Sequence, residues 1–253
     1  MDELTSRAVV FFAANMPSWR LLAFGGPPAL LWPYLCLRLA GYLKTQCGWR
    51  TGYTRKVFHF LIFGSVAAIQ AAAGTRTVCL LGLATSLVVF GAIAHGAGNP
   101  LYEAIAREKD APHRTYFVLA PYFATLIGGL ASNILFGWAA VLGYLITGLG
   151  DAVGEPVGTR YGRHPYRVPS LTGVTSTRSI EGSVAVFAAC FAGGLIAVAL
   201  MPQVRLTGAA VAWAAVIAGA SAALEAISPH GWDNAVLQVA PAGMAWLIWG
   251  GAG

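Results

Sequence analysis

Continuous apolar runs recur along this chain, each about 20 residues long, the length a helix needs to cross the hydrocarbon core of a bilayer. They fall near 22–43, 57–74, 77–96, 116–134, 135–151, 180–201, 206–226 and 233–250. None alternates with period two, so the spans read as helices and not as barrel strands. Of the 253 residues, 57% are hydrophobic and only 10% charged, against about 25% charged in an ordinary soluble domain. The deficit runs the whole length, which excludes a soluble domain with one anchor. The expectation is an all-α polytopic membrane protein, a single domain over 1–253 with about eight transmembrane helices. Seven is the alternative, because the fourth and fifth runs meet at GLASNILFGW (129–138), where Gly, Ser and Asn predict a tight turn. Residues 1–20 hold an apolar stretch too short to span. Asp2 and Glu3 suit a signal peptide poorly, so an interfacial helix is expected there.

The formal net charge of +6 is a topology signal and not a nucleic-acid one, since the basic residues sit in short loops between apolar runs. Lys44, Arg50, Arg55 and Lys56 share one loop; Arg107, Lys109 and Arg114 share another; Arg160, Arg163, Arg167 and Arg178 share a third. With eight spans these loops fall on one side, and Arg7, Arg20, Arg76 and Arg205 fall on the other. The positive-inside rule makes the rich side cytoplasmic and puts both termini outside. The Ala-, Gly- and Arg-rich composition hints at a bacterial cytoplasmic membrane. The four cysteines, Cys36, Cys47, Cys79 and Cys190, have no CxxC spacing and read as small hydrophobes.

The polar clusters all lie at the ends of spans on the basic side. Charge in a membrane is costly, so it normally has a partner and a task. In RKVFHF (55–60), Lys56, His59 and Phe60 share a helix face. The cations either set topology or bind phosphate, with His59 orienting or protonating. In AHGAGNPLYEAIAREKDAPHR (94–114), EAIAREKD reads as a solvated amphipathic helix face, leaving Asn99 and Arg107 open. In GLGDAVGEPVGTRYGRHPYRVPS (148–170), Gly150, Gly154, Gly158 and Gly162 recur every four residues, a pattern that packing alone could explain. Asp151 and Glu155, also four apart, can together hold a hydrated Mg²⁺ that bridges substrate phosphates. Pro156 and the glycines predict an irregular helix, and Arg160, Arg163, His164 and Arg167 follow as anion ligands. In TSTRSIEGSVAVF (175–187), Thr177 or Ser179 can cap a helix whose exposed amides, with Arg178, favour an anion. Glu181 lies beyond what capping explains. In ALEAISPHGWDNAVLQVAP (223–241), Glu225 sits inside a span, and Asp233 with Asn234 opens the next, as an N-cap or as site residues.

The order RKxxH, then GDAxxxxxGxxxGRH, then TRSIEGS, then ExxxPxxxDN resembles the dolichol kinase and phytol kinase family, over roughly 55–240 and closest to its short phytol-kinase-like members. The resemblance implies an integral membrane kinase that moves the γ-phosphate of a nucleotide, commonly CTP, to a lipid alcohol such as phytol, geranylgeraniol, farnesol or a polyprenol. By it Asp151 is a metal ligand or catalytic acid, and Arg178, Ser179, Glu181 and Gly182 line the nucleotide site. Asp233 and Asn234 complete that site. Relatives often carry lysines around the EGS motif, where Arg178 stands here. The expected site therefore has Asp151, His59 and Lys56 as catalytic residues. Arg55, Arg160, Arg163, His164, Arg167, Arg178, Ser179, Glu181, Gly182 and Asn234 face the nucleotide. Asp151, Glu155, Asp233 and Glu225 hold Mg²⁺, and the partners are the nucleotide, the alcohol and membrane lipid. A phosphatidate cytidylyltransferase would use the same nucleotide, but SPHGWDNAVLQVAP lacks the PGHGGxxDR ending of those enzymes. An ion-coupled transporter would spread its charges through the membrane depth, whereas these lie toward one face.

Overall fold

The computed structural model describes residues 3–168, 176–229 and 231–250. Asp2, Thr175 at the head of the fourth cluster, and His230 lie outside the described residues. The chain is almost entirely helical and divides into two compact units, Met1–Val118 and Leu119–Gly253. Among the described residues, five helical runs are long and apolar enough to cross a membrane, or six if one bent pair counts as a span. The protein is thus a polytopic, helical membrane protein.

In the first unit, α1 (Glu3–Asn15) is too short to span and meets α2 (Trp19–Thr45) at a bend of 80°. Ser18 caps α2 by accepting from the Leu21 amide at 3.3 Å. Next come α3 (Thr51–Ala73) and α4 (Thr75–His95), joined through Gly74, whose φ of 78° suits glycine alone. The following segment departs from the sequence expectation. Only α5 (Pro100–Glu103) and a short 3₁₀ turn at Glu108–Asp110 are helical, and EAIAREKD is not a solvated amphipathic helix. Ala104, Ile105, Ala106 and Arg107 are all buried. The loop folds on the ends of α2 and α3 because its polar groups find partners there. A Cβ on Gly41 would meet the Pro100 carbonyl at 2.9 Å, and Thr54 Oγ1 donates to the Ala104 carbonyl at 2.8 Å. Asn99 caps α5, Arg107 pairs with Asp110 at 2.8 Å, and Arg114 pairs with Glu103 at 2.6 Å. Lys44 pairs with Glu108.

In the second unit, α6 (Tyr116–Phe136, counted from Leu119) leads without a gap into a 3₁₀ turn, α7 (Ala140–Ile146), a π-helical turn (Thr147–Asp151) and α8 (Ala152–Tyr161). This 46-residue run is a hairpin and not one rod. Asn133 Nδ2 donates to the Tyr144 hydroxyl at 2.5 Å across eleven residues, which a straight helix would hold about 16 Å apart. The reversal comes at Phe136–Ala139, where Gly137 has φ +52°. The reversal thus falls at the end of the stretch 129–138 where the sequence places it, with Gly137 turning the chain while Gly129, Ser132 and Asn133 stay in α6. Gly128 lets another helix approach, since a Cβ there would lie 2.8 Å from the Ala235 Cα.

The remaining elements are a hairpin of β1 (Pro165–Val168) and β2 (Ser176–Ser179), then α9 (Ile180–Leu200), α10 (Gly208–Ile227) and α11 (Asp233–Trp249). The two strands are an addition to the all-α expectation. They are short enough to act as a folded connection, with Tyr166 opposite Arg178 in the antiparallel register.

The four-residue glycine repeat is a packing seam between α7–α8 and α9. A Cβ on Gly150 would stand 2.5 Å from Cys190 Sγ, one on Gly154 2.8 Å from Val186 Cγ2, and one on Gly158 3.0 Å from Ser179 Oγ. Gly182 on α9 returns the fit, its own Cβ position lying 3.0 Å from the Gly154 carbonyl. In lipid, helix association depends on such close approach more than on apolar burial. Gly154→Leu should therefore destabilise by about 1–3 kcal/mol through overpacking, whereas Gly82→Ala, with nothing within 4 Å, should not. Thermal melts in one detergent would compare them, and equal midpoints would remove the seam.

Candidate active site

The apolar helices of the second unit carry a concentration of buried charge where β2, α9, α10 and α11 meet. Arg178, on β2, sends Nε to Glu225 Oε1 at 2.8 Å and Nη2 to Asp233 Oδ2 at 3.0 Å. Its Nη1 reaches the Ser228 carbonyl at 3.5 Å. The three side chains are 15%, 8% and 13% exposed, so the triad is largely out of water. One guanidinium thus faces two carboxylates. Such an arrangement is expensive to bury and suits a site that receives a cation or a metal-bound phosphate.

Asp151 stands at the end of α7 next to Gly150, whose Cβ position meets Cys190 and Val186 in the middle turns of α9. It closes the π turn and is 9% exposed. Gly148 and Gly150 allow the widened winding, and Pro156 removes an amide from α8 just beyond, as the sequence predicted. Glu155, one helical turn after Asp151, is partly exposed.

The start of α9 is built as expected, with one addition. Ser179, not Thr177, is the cap, its hydroxyl accepting from the Gly182 amide at 3.1 Å. Glu181, which capping alone leaves unexplained, fastens the hairpin: Oε1 pairs with His164 Nδ1 at 2.7 Å and Oε2 accepts from the His164 amide at 3.3 Å. Arg160, Arg163 and Arg167 are exposed, on the end of α8, the turn after it and β1.

Asp233 is not a plain N-cap. Trp232 holds that position, while Asp233 serves Arg178 and accepts from the Asn234 amide at 3.1 Å. Asn234 ties α11 to α6, its Nδ2 donating to Thr125 Oγ1 at 2.8 Å, and Gln238 one turn on donates to the Thr125 carbonyl at 3.1 Å. Asn234 Oδ1 is buried and has no hydrogen-bond partner among the described residues, which leaves an oxygen acceptor beside Asp233 in the chain. No group of three or more His, Cys, Asp or Glu among the described residues could hold a metal alone. That composition fits Mg²⁺, which takes one or two carboxylates and completes its shell from phosphate and water.

The first cluster belongs to the first unit. Arg55 and His59 are partly exposed, Lys56 is buried at 7%, and His59 stacks on Phe63 with ring centroids 4.4 Å apart. Phe60, expected on the face of Lys56 and His59, is 46% exposed. Three polar residues escaped the sequence reading. Tyr166 and Ser183 form a hydroxyl pair at 2.7 Å, and Gln238 sits fully buried in α11. Gln238 had a signal, a lone amide in an apolar run, but Tyr166 and Ser183 had none, since only the hairpin register brings them together.

Over 128 residues the chain is 34% identical to the phytol kinase of Synechocystis sp.. The match spans half of this chain and half of the length of that relative. No family model matches the chain, and no solved structure does.

Two predictions follow from the charge distribution. Arg178→Ala should leave two buried carboxylates uncompensated, costing about 3–5 kcal/mol, with Arg178→Lys intermediate. A thermal melt at neutral pH would check the order, and an unshifted Arg178→Ala midpoint would contradict it. In the loop of the first unit, the hydrogen bond from Arg114 holds the Glu103 carboxyl below its ordinary value of 4.5. A depressed folded-state pKa stabilises above the unfolded value and is lost as pH falls through the folded one. Amide exchange across 99–114 should thus stay slow above the ordinary carboxylate range and quicken below it, with Glu103→Gln flattening the profile.

Proposed function

We propose that this protein is a membrane-embedded kinase that transfers the γ-phosphate of a nucleoside triphosphate, CTP by motif, to the terminal hydroxyl of an isoprenoid alcohol such as phytol, geranylgeraniol, farnesol or a polyprenol. The observation that carries the reading is the buried Arg178–Glu225–Asp233 triad at the ends of apolar helices, with Asp151 presented beside α9. The likeness to a phytol kinase supports the choice of acceptor.

Phosphoryl transfer asks a protein mainly for positioning and charge neutralisation. The alcohol oxygen forms a bond to the γ-phosphorus. The bond from that phosphorus to the bridging oxygen breaks, its electron pair leaving with the nucleoside diphosphate, and the alcohol proton passes to a carboxylate of the cluster. One or two of Asp151, Glu155, Glu225 and Asp233, with the Asn234 oxygen, would hold Mg²⁺, which when bound would neutralise phosphate charge. Arg178 holds the Glu225 and Asp233 carboxylates together at the ends of α10 and α11. The roles of Ser179 and Gly182 toward the nucleotide rest on the TRSIEGS motif, and Arg160, Arg163, His164 and Arg167 attract phosphate from the exposed side. The roles of Arg55 toward nucleotide and of Lys56 and His59 in catalysis rest on the RKVFHF motif and its order in the chain. About eight spans, α1 at the interface and the site on the cytoplasmic face of a bacterial membrane complete the reading.

The decisive experiment uses purified protein, Mg²⁺, a panel of isoprenoid alcohols with diacylglycerol and phosphatidate, and CTP labelled at the α- or the γ-phosphate. Label entering lipid only from the γ position is expected. Label from the α position with phosphatidate would make the protein a cytidylyltransferase. Asp151→Asn should abolish transfer while leaving insertion and the thermal midpoint intact, and near-normal turnover would remove Asp151 from the site.

A further inference from the structure

Beside the charged triad, α9 and α10 part to leave an open groove of about 380 Å³. The two helices run antiparallel and touch closely farther along, where a Cβ on Gly194 would lie 3.2 Å from that of Ala214. Toward the start of α9 they diverge. One wall is Ile180, Val184 and Phe187 of α9; the other is Ala222, Ala223 and Ala226 of α10. The division is by size, bulky branched and aromatic groups facing methyls, and the methyls make the room. Its polar lining is one hydroxyl pair, Tyr166 with Ser183.

That pair sits at the charged end. Tyr166 is the cross-strand partner of Arg178, so the two side chains leave the same face of the hairpin. Ala222 and Ala226 lie one turn before and one residue after Glu225, the other partner of Arg178. Ile180 and Val184 are 56% and 62% exposed on helices long and apolar enough to cross a membrane, so the groove opens on lipid and not on water. An apolar slot that opens sideways to the bilayer, with hydroxyls only where it meets the triad, matches a molecule with one long apolar tail and a single hydroxyl head. Its volume lies near the lower end of the about 300–1,000 Å³ usual for ligand pockets, enough for one chain and not two.

We infer that the α9–α10 groove seats the tail of a single-chain isoprenoid alcohol, that the Tyr166–Ser183 hydroxyls hold its head beside Arg178 and Glu225, and that Ala222 and Ala226 set the tail it accepts. The assignment of an isoprenoid acceptor rests on the kinase reading; the groove as a lipid-alcohol site is tested apart from it.

Full-length protein in nanodiscs is assayed with γ-labelled CTP and alcohols of 10, 15 and 20 carbons. Ala222→Phe and Ala226→Phe should lower kcat/KM for the 20-carbon alcohol about tenfold or more, spare the 10-carbon one, and leave the KM for nucleotide unchanged. Ser183→Ala should raise the KM for every alcohol alike. Val216→Phe, exposed on α10 outside the groove, is the control. Equal losses at all three lengths, or none, would overturn the proposal. In parallel, a 20-carbon alcohol bearing a diazirine is photolysed on the same protein. Labelling of 180–187 and 222–226, competed by phytol and lost in Ala222→Phe, is expected whether or not phosphate moves. If labelling is right while no acceptor takes phosphate, the groove stands and the kinase reading fails. If a diazirine phosphatidylcholine labels those peptides equally well, the groove holds ordinary bilayer lipid and the proposal fails.

Discussion

One guanidinium holds the charged end of the second unit together. Arg178 lies on a four-residue strand, yet its two ion pairs reach the last turn of α10 and the first residue of α11. In a surface loop such pairs would contribute little, but at this burial each partner depends on the others to stay charged. The unit thus combines this buried triad with the exposed arginines Arg160, Arg163 and Arg167, a pattern that a metal–phosphate substrate would suit.

The triad needs a rigid frame, and glycine supplies it. The seam of Gly150, Gly154 and Gly158 against Gly182, Val186 and Cys190 brings two backbones close without a large side chain between them. That contact fixes where the π turn, and so Asp151, stands relative to α9. Had Asp151 stayed in regular α-helix, its carboxylate would project in a different direction, because a π turn adds one residue to the winding. The widened turn and the glycine seam are thus parts of one device. The seam anchors the helix, and the irregularity aims the acid.

The loop of the first unit shows where sequence reasoning about charge is weakest. EAIAREKD has the composition of a wetted helix face, and the wetted reading follows from composition. The structure instead buries Arg107 and pairs it with Asp110, pairs Glu103 with Arg114, and sets the loop on α2 and α3. Pairing of opposite charges three or eleven residues apart is as compatible with the sequence as solvation is. The choice depends on carbonyl groups and helix ends supplied from elsewhere in the unit, and those have no local signature.

The sequence by itself determined the helices. All eight apolar runs coincide with helical segments, because a membrane helix must be apolar over its whole length and satisfies its own backbone. It also marked the acids and arginines of the site, since charge beside an apolar run is rare enough to stand out. It placed the reversal between α6 and α7 within 129–138, but not which residue turns, because Gly129 and Gly137 read alike until Gly137 takes a positive φ. Tertiary structure alone decided which acids Arg178 meets, that His164 answers Glu181, and that Tyr166 and Ser183 share a groove. Those pairings join residues 17 to 55 positions apart. They exist only once the hairpin register and the helix packing are set, and no local periodicity encodes either.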